Sequence, residues 1–137
     1  MNRKDQYKRK LEFIIDKITN LPENVNDNEY YRDALYYRLQ VAIDATMDVV
    51  AMLCKDFGIS VKDDYSNLDE LEKTSILTTN LIKELHQWNG LRNILVHGYY
   101  KIEDETVIKE KIEIVSSLKV FVTNVEVIIN EKINFSE

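Results

Sequence analysis

The chain contains almost nothing that would interrupt a helix: three glycines and one proline among 137 residues. Those four residues, Pro22, Gly58, Gly90 and Gly98, leave long uninterrupted runs between them. A many-stranded sheet needs frequent turns, and turns need glycine and proline, so scarcity of both favours long helices joined by few connections. The C-terminal run tests this. Ile112, Ile114, Ser116, Leu118, Val120 and Val122 alternate as a strand would, whereas Ile108, Ile112, Val115, Leu118, Val122, Val125 and Ile129 follow a helical repeat. Some thirty residues to Lys132 without glycine or proline are far too many for one strand and ordinary for a bundle helix.

The remaining segments read the same way. A first helix is expected from about Asp5 to Asn20, with Tyr7, Leu11, Ile14, Ile15 and Ile18 as its apolar stripe, ended by Leu21-Pro22. Residues 22–28 form a polar loop in which Asn26, Asp27 or Asn28 can cap the next helix. That helix should run from Asn28 to Asp56, burying Leu35, Leu39, Ala42, Ile43, Thr46, Met47, Val50 and Leu53, and stop at Phe57-Gly58. After a connector, Ser66 or Asn67 can cap a short helix through Leu68, Leu71 and as far as Ile76. A further helix begins near Thr79 and carries Leu81, Ile82, Leu85, Trp88 and Leu91 on one face. Glu103, Asp104 and Glu105 then supply negative charge at the start of the last helix. The expected architecture is an all-α antiparallel bundle of four to five helices, one domain over residues 1–137.

Chemistry concentrates in Arg92-Asn93-Ile94-Leu95-Val96-His97-Gly98-Tyr99-Tyr100, which places a guanidinium, a carboxamide, an imidazole and two phenols at a helix end. If the helix runs on, Asn93 and His97 are i and i+4 and share a face with Tyr100 near it, while Val96 and Tyr99 lie close to the azimuth of Arg92. Gly98 stands where a left-handed cap would go, so His97 falls in the last turn, where the helix dipole favours a cation. Arg92 and His97 are about 140° apart around an ideal helix, so one chain does not aim them at one point. Either a distorted last turn or a second copy across a two-fold axis would bring them together. A lone arginine or histidine at a helix end is usually a capping or surface residue. Here, polar pairs bracket an Ile-Leu-Val run that ties them to the core, and this sets the cluster apart.

The run from Arg92 to Tyr99 resembles the signature of HEPN-domain proteins, an arginine, four residues, a histidine, one residue and a tyrosine, in the form found in HepT-like toxins. Arg32-Asp33-Ala34 through Ile43-Asp44-Ala45-Thr46-Met47-Asp48 is similar to the long second helix of that family, and Tyr100-Lys101-Ile102 to the segment after its signature. The resemblance implies an all-helical homodimer with metal-independent ribonuclease activity, encoded beside a nucleotidyltransferase antitoxin that adds AMP to the signature tyrosine, here Tyr99. On that basis Arg92, Asn93 and His97 are the catalytic candidates, and Tyr99 and Tyr100 the candidates for RNA contact or modification. RNA, as tRNA or mRNA, is the expected substrate, with no DNA, no cofactor and no metal.

Other features bound the reading. Cys54 is the one cysteine, so no intrachain disulfide or cysteine zinc cluster is available, and it reads as a small buried hydrophobe. The charged start from Met1 to Lys10 lacks an apolar core for a signal peptide, and no apolar run is long enough to span a bilayer. A cytoplasmic protein is expected. A net charge of −6 disfavours a general nucleic-acid binder but permits an enzyme that grips a few phosphates. Arg3, Lys4, Lys8, Arg9 and Lys10 more simply form a solvated helix start than an RNA patch. Asp44 and Asp48 are spaced i to i+4, yet no further ligand joins them on that face, which argues against a metal site. Tyr30, Tyr31, Tyr36 and Tyr37 fit packing with wet hydroxyls better than base stacking. His86 is expected at an edge, away from the chemistry, and Trp88 in the core or at a dimer interface. The competing function is a non-catalytic HEPN subunit that docks a nucleotidyltransferase or binds a nucleotide; such a scaffold would not need Arg92, Asn93 and His97 together.

Overall fold

The computed structural model describes residues 2–98 and 104–135. Five helices follow in order: α1 (Arg3–Ile18), α2 (Glu29–Asp56), α3 (Asp64–Lys73), α4 (Thr79–His97) and α5 (Asp104–Glu131). No strand occurs among the described residues. The C-terminal run is a single 28-residue helix, as its length requires. None of the described helices is long and apolar enough to cross a membrane.

Helices α1, α2, α4 and α5 pack as a ring, and α3 closes one side against α2 and α4. Polar contacts set the register. Arg3 Nε donates to Asp56 at 2.9 Å and Lys10 Nζ to Asp48 at 2.8 Å, so α1 and α2 run antiparallel. Arg38 of α2 donates to the carbonyls of Asp16 and Lys17, satisfying orphan groups at the end of α1. Lys111 Nζ reaches the Pro22 carbonyl and Phe135 packs edge-on against Tyr7, which makes α5 antiparallel to α1 as well. Inside the ring, Tyr7, Ile14, Leu35, Leu39, Ile43, Leu53, Leu85, Trp88, Leu118 and Phe121 are fully buried. Each such side chain contributes about 1.5–3 kcal/mol of transfer free energy, which is what holds the bundle closed.

The helix ends follow local chemistry. Asn2, Asn28, Asp63 and Thr78 each accept a backbone N–H as N-caps. The cap of α3 corrects an expectation: Asp63, not Ser66 or Asn67, starts that helix, and Ile76 lies beyond its end. Asn67 is buried and spends its amide on the N–H and carbonyl of Lys62, locking the connector instead. Helix α1 also begins two residues earlier than its apolar stripe suggests, because Asn2 can cap it. Helix α2 ends in a Schellman motif: Gly58 N–H bonds to Lys55 O, Ile59 N–H bonds to Cys54 O, and Gly58 takes φ +76°. Helix α3 ends the same way with Ser75 at φ +59°, a conformation that costs a residue with a Cβ.

Candidate functional site

Helix α4 turns Leu81, Ile82, Leu85 and Trp88 inward as the apolar spacing predicts and continues through His97; Leu91, expected on that face, is only partly buried, and Leu95 is buried as well. Trp88, expected in the core or at a dimer interface, is a core residue, 1% exposed. Arg92 and Asn93 lie half-buried on the flank of the same helix, and His97 is exposed in its last turn. Gly98 closes the helix with its N–H on Ile94 O, but at φ +147° and ψ +126° it is not in the left-handed helical conformation expected of a cap. That positive φ is a conformation glycine tolerates readily.

The structure brings Arg92 and Asn93 together: Arg92 Nη1 donates to Asn93 Oδ1 at 3.1 Å. It also supplies a partner on another helix. Arg92 Nε donates to Asp44 Oδ1 of α2 in a short, direct ion pair. The guanidinium is thus held at two of its nitrogens, and its remaining N–H groups can still take an anion in a forked geometry. His97 is not drawn into this cluster. No hydrogen bond joins it to Arg92 or Asn93, in keeping with the 140° between positions five apart. Tyr99 and Tyr100 lie outside the described residues, as do Lys101 and Glu103.

Asp44 is the partner of Arg92 that spacing alone did not find. Its signal was present in the sequence as an acid flanked by buried Ile43, Ala45, Thr46 and Met47 on a core helix. The i to i+4 spacing with Asp48, weighed as a metal site, is set aside for want of further ligands. Each carboxylate has a cation of its own: Arg92 from α4 holds Asp44, and Lys10 from α1 holds Asp48. Among the described residues no group of three His, Cys, Asp or Glu side chains could hold a metal.

Further charge surrounds Arg92. Burial raises the Asp64 carboxyl above the ordinary carboxylate range, Arg92 pulls it back, and Asp48, Asp44 and Asp63 push it up again. Four acids, Asp44 and Asp48 of α2 with Asp63 and Asp64 at the start of α3, therefore surround one guanidinium. The other singled-out residues have structural employment. His86 sits partly exposed, paired with Asp69 at 2.7 Å and stacked on Tyr65 with ring centroids 5.3 Å apart. Cys54 is fully buried against the Asn67 carbonyl, and burial raises its thiol further from reactivity. Tyr36 is buried and donates to Asp104 at the start of α5, while Tyr30, Tyr31 and Tyr37 face solvent. Of the basic N-terminal residues, Arg3 and Lys10 pair with acids of α2.

Comparison with known proteins gives this geometry a context. The family model described as ribonuclease HepT-like matches residues 4–125. A protein of Archaeoglobus fulgidus named "Putative RNase" is 37% identical over 124 residues, covering 90% of this chain and 93% of that one. A Methanocaldococcus jannaschii protein, also named as a putative RNase, is 53% identical over 70 residues, 50% of this chain and 80% of the relative. Among solved structures, a toxin-antitoxin with AMP-PNP superposes with a TM-score of 0.79 at 17% identity, covering 91% of this chain and 99% of that chain. The tri-AMPylated HEPN toxin of Shewanella oneidensis in complex with its MNT antitoxin also gives 0.79, at 18% identity, with 92% and 98% covered. At such identities these two structures establish a shared fold.

Proposed function

Since this chain belongs to the HepT-like ribonuclease family, we propose that it is a toxin endoribonuclease that cleaves RNA without a metal ion through Arg92, Asn93 and His97. The observation that carries the reading is the way Arg92 is mounted: half-buried, clamped between Asp44 and Asn93, with guanidinium nitrogens to spare for a phosphate.

The chemistry follows from the donor set. A base removes the proton of a ribose 2′-hydroxyl, its oxygen attacks the adjacent phosphorus, and an acid protonates the departing 5′-oxygen as the P–O5′ bond breaks. The products are a 2′,3′-cyclic phosphate and a 5′-hydroxyl. Arg92 neutralises the charge that gathers on the phosphorane oxygens, and Asn93 orients the guanidinium. At this helix end one chain offers one imidazole, and no hydrogen bond joins His97 to Arg92. A homodimer solves both problems: two His97 side chains can divide the base and acid roles across a two-fold cleft, each facing the other chain's Arg92.

Regulation by a nucleotidyltransferase antitoxin belongs to the same reading, with Tyr99 as the residue that would receive AMP. The Shewanella oneidensis structure, named for an MNT antitoxin and a tri-AMPylated toxin, supports it. A nucleotide attached two residues from His97 would bring bulk and negative charge to the place where the RNA phosphate must sit. The setting of this activity is the cytoplasm, where both RNA and such a partner are found.

The test is incubation of purified protein with total tRNA in EDTA. Wild type should cleave, and His97→Ala and Arg92→Ala should each lower the rate by about 10²–10⁴-fold. Cleavage undiminished in both variants would remove the site. No cleavage by wild type would favour the non-catalytic docking subunit, a role that the ion pairing of Arg92 with Asp44 also accommodates.

A further inference from the structure

Beside the Arg92 cluster, where α3 packs on α4, lies a flat aromatic surface that the cleavage chemistry leaves unused. Tyr65, in the first turn of α3, is 51% exposed, although the imidazole of His86 from α4 covers one side of its ring, with centroids 5.3 Å apart and planes 17° from parallel. The imidazole is fixed in turn by Asp69, whose Oδ1 accepts from His86 Nε2 at 2.7 Å. Tyr65 and Asp69 are i and i+4 on α3, so phenol and carboxylate stand on one face of that helix, and His86 touches both. One side of the ring is held and the other is left to solvent. Packing α3 onto α4 requires neither an open ring face nor a carboxylate that is 67% exposed.

We infer that this surface is a base-reading subsite for single-stranded RNA: a guanine stacks on the open face of Tyr65 and is selected by Asp69. The inference rests on the ribonuclease reading of Arg92 and His97 and adds a sequence preference to it. Asp63, Asp64 and Asp69 line this side of α3, so the phosphate backbone is repelled and only an uncharged part of the nucleotide can settle here. A base is uncharged and carries a π-face, which an exposed aromatic ring accepts whatever the sequence. The carboxylate adds the choice. It is acceptor-only when ionised, so it favours a base edge made of donors. Guanine offers two adjacent donors, N1–H and the N2 amino group, to match two carboxylate oxygens, whereas adenine and cytosine set one amino group beside an acceptor. Asp69 Oδ1 retains a lone pair after meeting His86, and Oδ2 makes no hydrogen bond among the described residues.

The position relative to Arg92 suits a neighbouring nucleotide. Arg92 stands six residues beyond His86 on α4, about 9 Å along the axis at 1.5 Å per residue. Asp64, the residue before Tyr65, lies in the electrostatic field of Arg92, so this end of α3 is close to the guanidinium. A strand whose phosphate rests on Arg92 can then lay an adjacent base on Tyr65 without any change in either helix. Both helices are anchored in the core, through Leu68 and Leu71 of α3 and Leu85 and Trp88 of α4, and this keeps the spacing fixed.

Cleavage of oligoadenylates that carry one guanine at successive positions, in EDTA, tests this, with fluorescence anisotropy of the same RNAs as a second readout. Wild type should cut at a fixed offset from the guanine wherever it stands, with kcat/KM about 10–100-fold above that for guanine-free RNA. Tyr65→Ala should lower kcat/KM by about 5–150-fold, chiefly through KM, and Tyr65→Phe should restore most of it. Asp69→Asn, which replaces one acceptor by a donor, should bring guanine and adenine to within about twofold of each other. Tyr65 and Asp69 are exposed, so these changes spare the core, and the helical circular dichroism should match the wild type. Cleavage by wild type without regard to the guanine, or a preference that survives both Tyr65→Ala and Asp69→Asn, would overturn the inference and leave the ribonuclease reading standing. A wild type that cuts no RNA yet binds the guanine-bearing strands selectively, in a way that Tyr65→Ala abolishes, would reject the ribonuclease reading and keep the subsite. Absence of both cleavage and binding would overturn both. Tyr65→Ala that leaves RNA affinity intact and instead breaks binding of a nucleotidyltransferase would also overturn the inference, since this face would then dock protein.

Discussion

Asp44 of α2 and Arg92 of α4, 48 residues apart in sequence, form an ion pair that fastens the half-buried guanidinium of the candidate site to the middle of a core helix. The pair is about one-third exposed on both sides, so its contribution is to position and not chiefly to stability. That distinction generates the first expectation. Asp44→Asn should lower kcat/KM for RNA cleavage by about 10–100-fold, the penalty of a misplaced catalytic group, while thermal unfolding stays near wild type. Arg92→Lys should not restore activity to the wild type, because an ammonium cannot hold Asp44, Asn93 and phosphate in one plane. Steady-state kinetics beside a melting curve checks both. A large loss of stability with unchanged kinetics would assign Asp44 to the fold alone.

Asp64 offers a test of the charge around Arg92. Its carboxyl is raised above the ordinary value, chiefly by burial, with three neighbouring acids adding to the effect. A raised acid binds its proton more tightly in the folded state, so it favours folding below the unfolded pKa and works against it as pH rises through the folded value. Asp64→Asn should therefore raise the melting temperature at pH 7, and the gain should vanish below about pH 3, where the carboxyl is neutral in both states. Melting curves across that range decide it; an advantage that persists in acid would mean that packing is responsible.

Ser75 occupies a left-handed position at φ +59° where α3 ends, the same place that Gly58 fills at the end of α2. Ser75→Gly relieves a penalty of about 1–2 kcal/mol for a side chain there, offset in part by the greater freedom of glycine in the unfolded chain. A net gain of about 0.5–1 kcal/mol in denaturant unfolding is expected. Gly58→Ala should cost a similar amount in the opposite direction.

Trp88 is buried with its indole N–H unpartnered among the described residues, on the helix that carries the site. Trp88→Phe removes that unsatisfied donor along with some volume, so it should cost much less than the about 3–5 kcal/mol expected for Trp88→Ala. Denaturant titration of both variants separates the terms. Equal losses would show that the indole N–H is well partnered after all.

The sequence alone was sufficient for the helices and their inward faces. Apolar spacing and the rarity of glycine and proline are local properties, and burial of Leu35, Leu39, Leu85 and Trp88 follows from them directly. It was also sufficient to single out Arg92, Asn93 and His97, because unusual polar groups beside an apolar run are visible one residue at a time. Caps were legible less reliably: several side chains in one short stretch can accept the same N–H groups, and only the path of the connector chose Asp63 over Ser66 and Asn67. What required the tertiary structure was every relation between helices. The i to i+4 spacing of Asp44 and Asp48 says that two acids share a face, but not which cation each will meet. Packing α2 between α1 and α4 gave Asp48 to Lys10 and Asp44 to Arg92, because charge pairing depends on distances that local sequence does not contain.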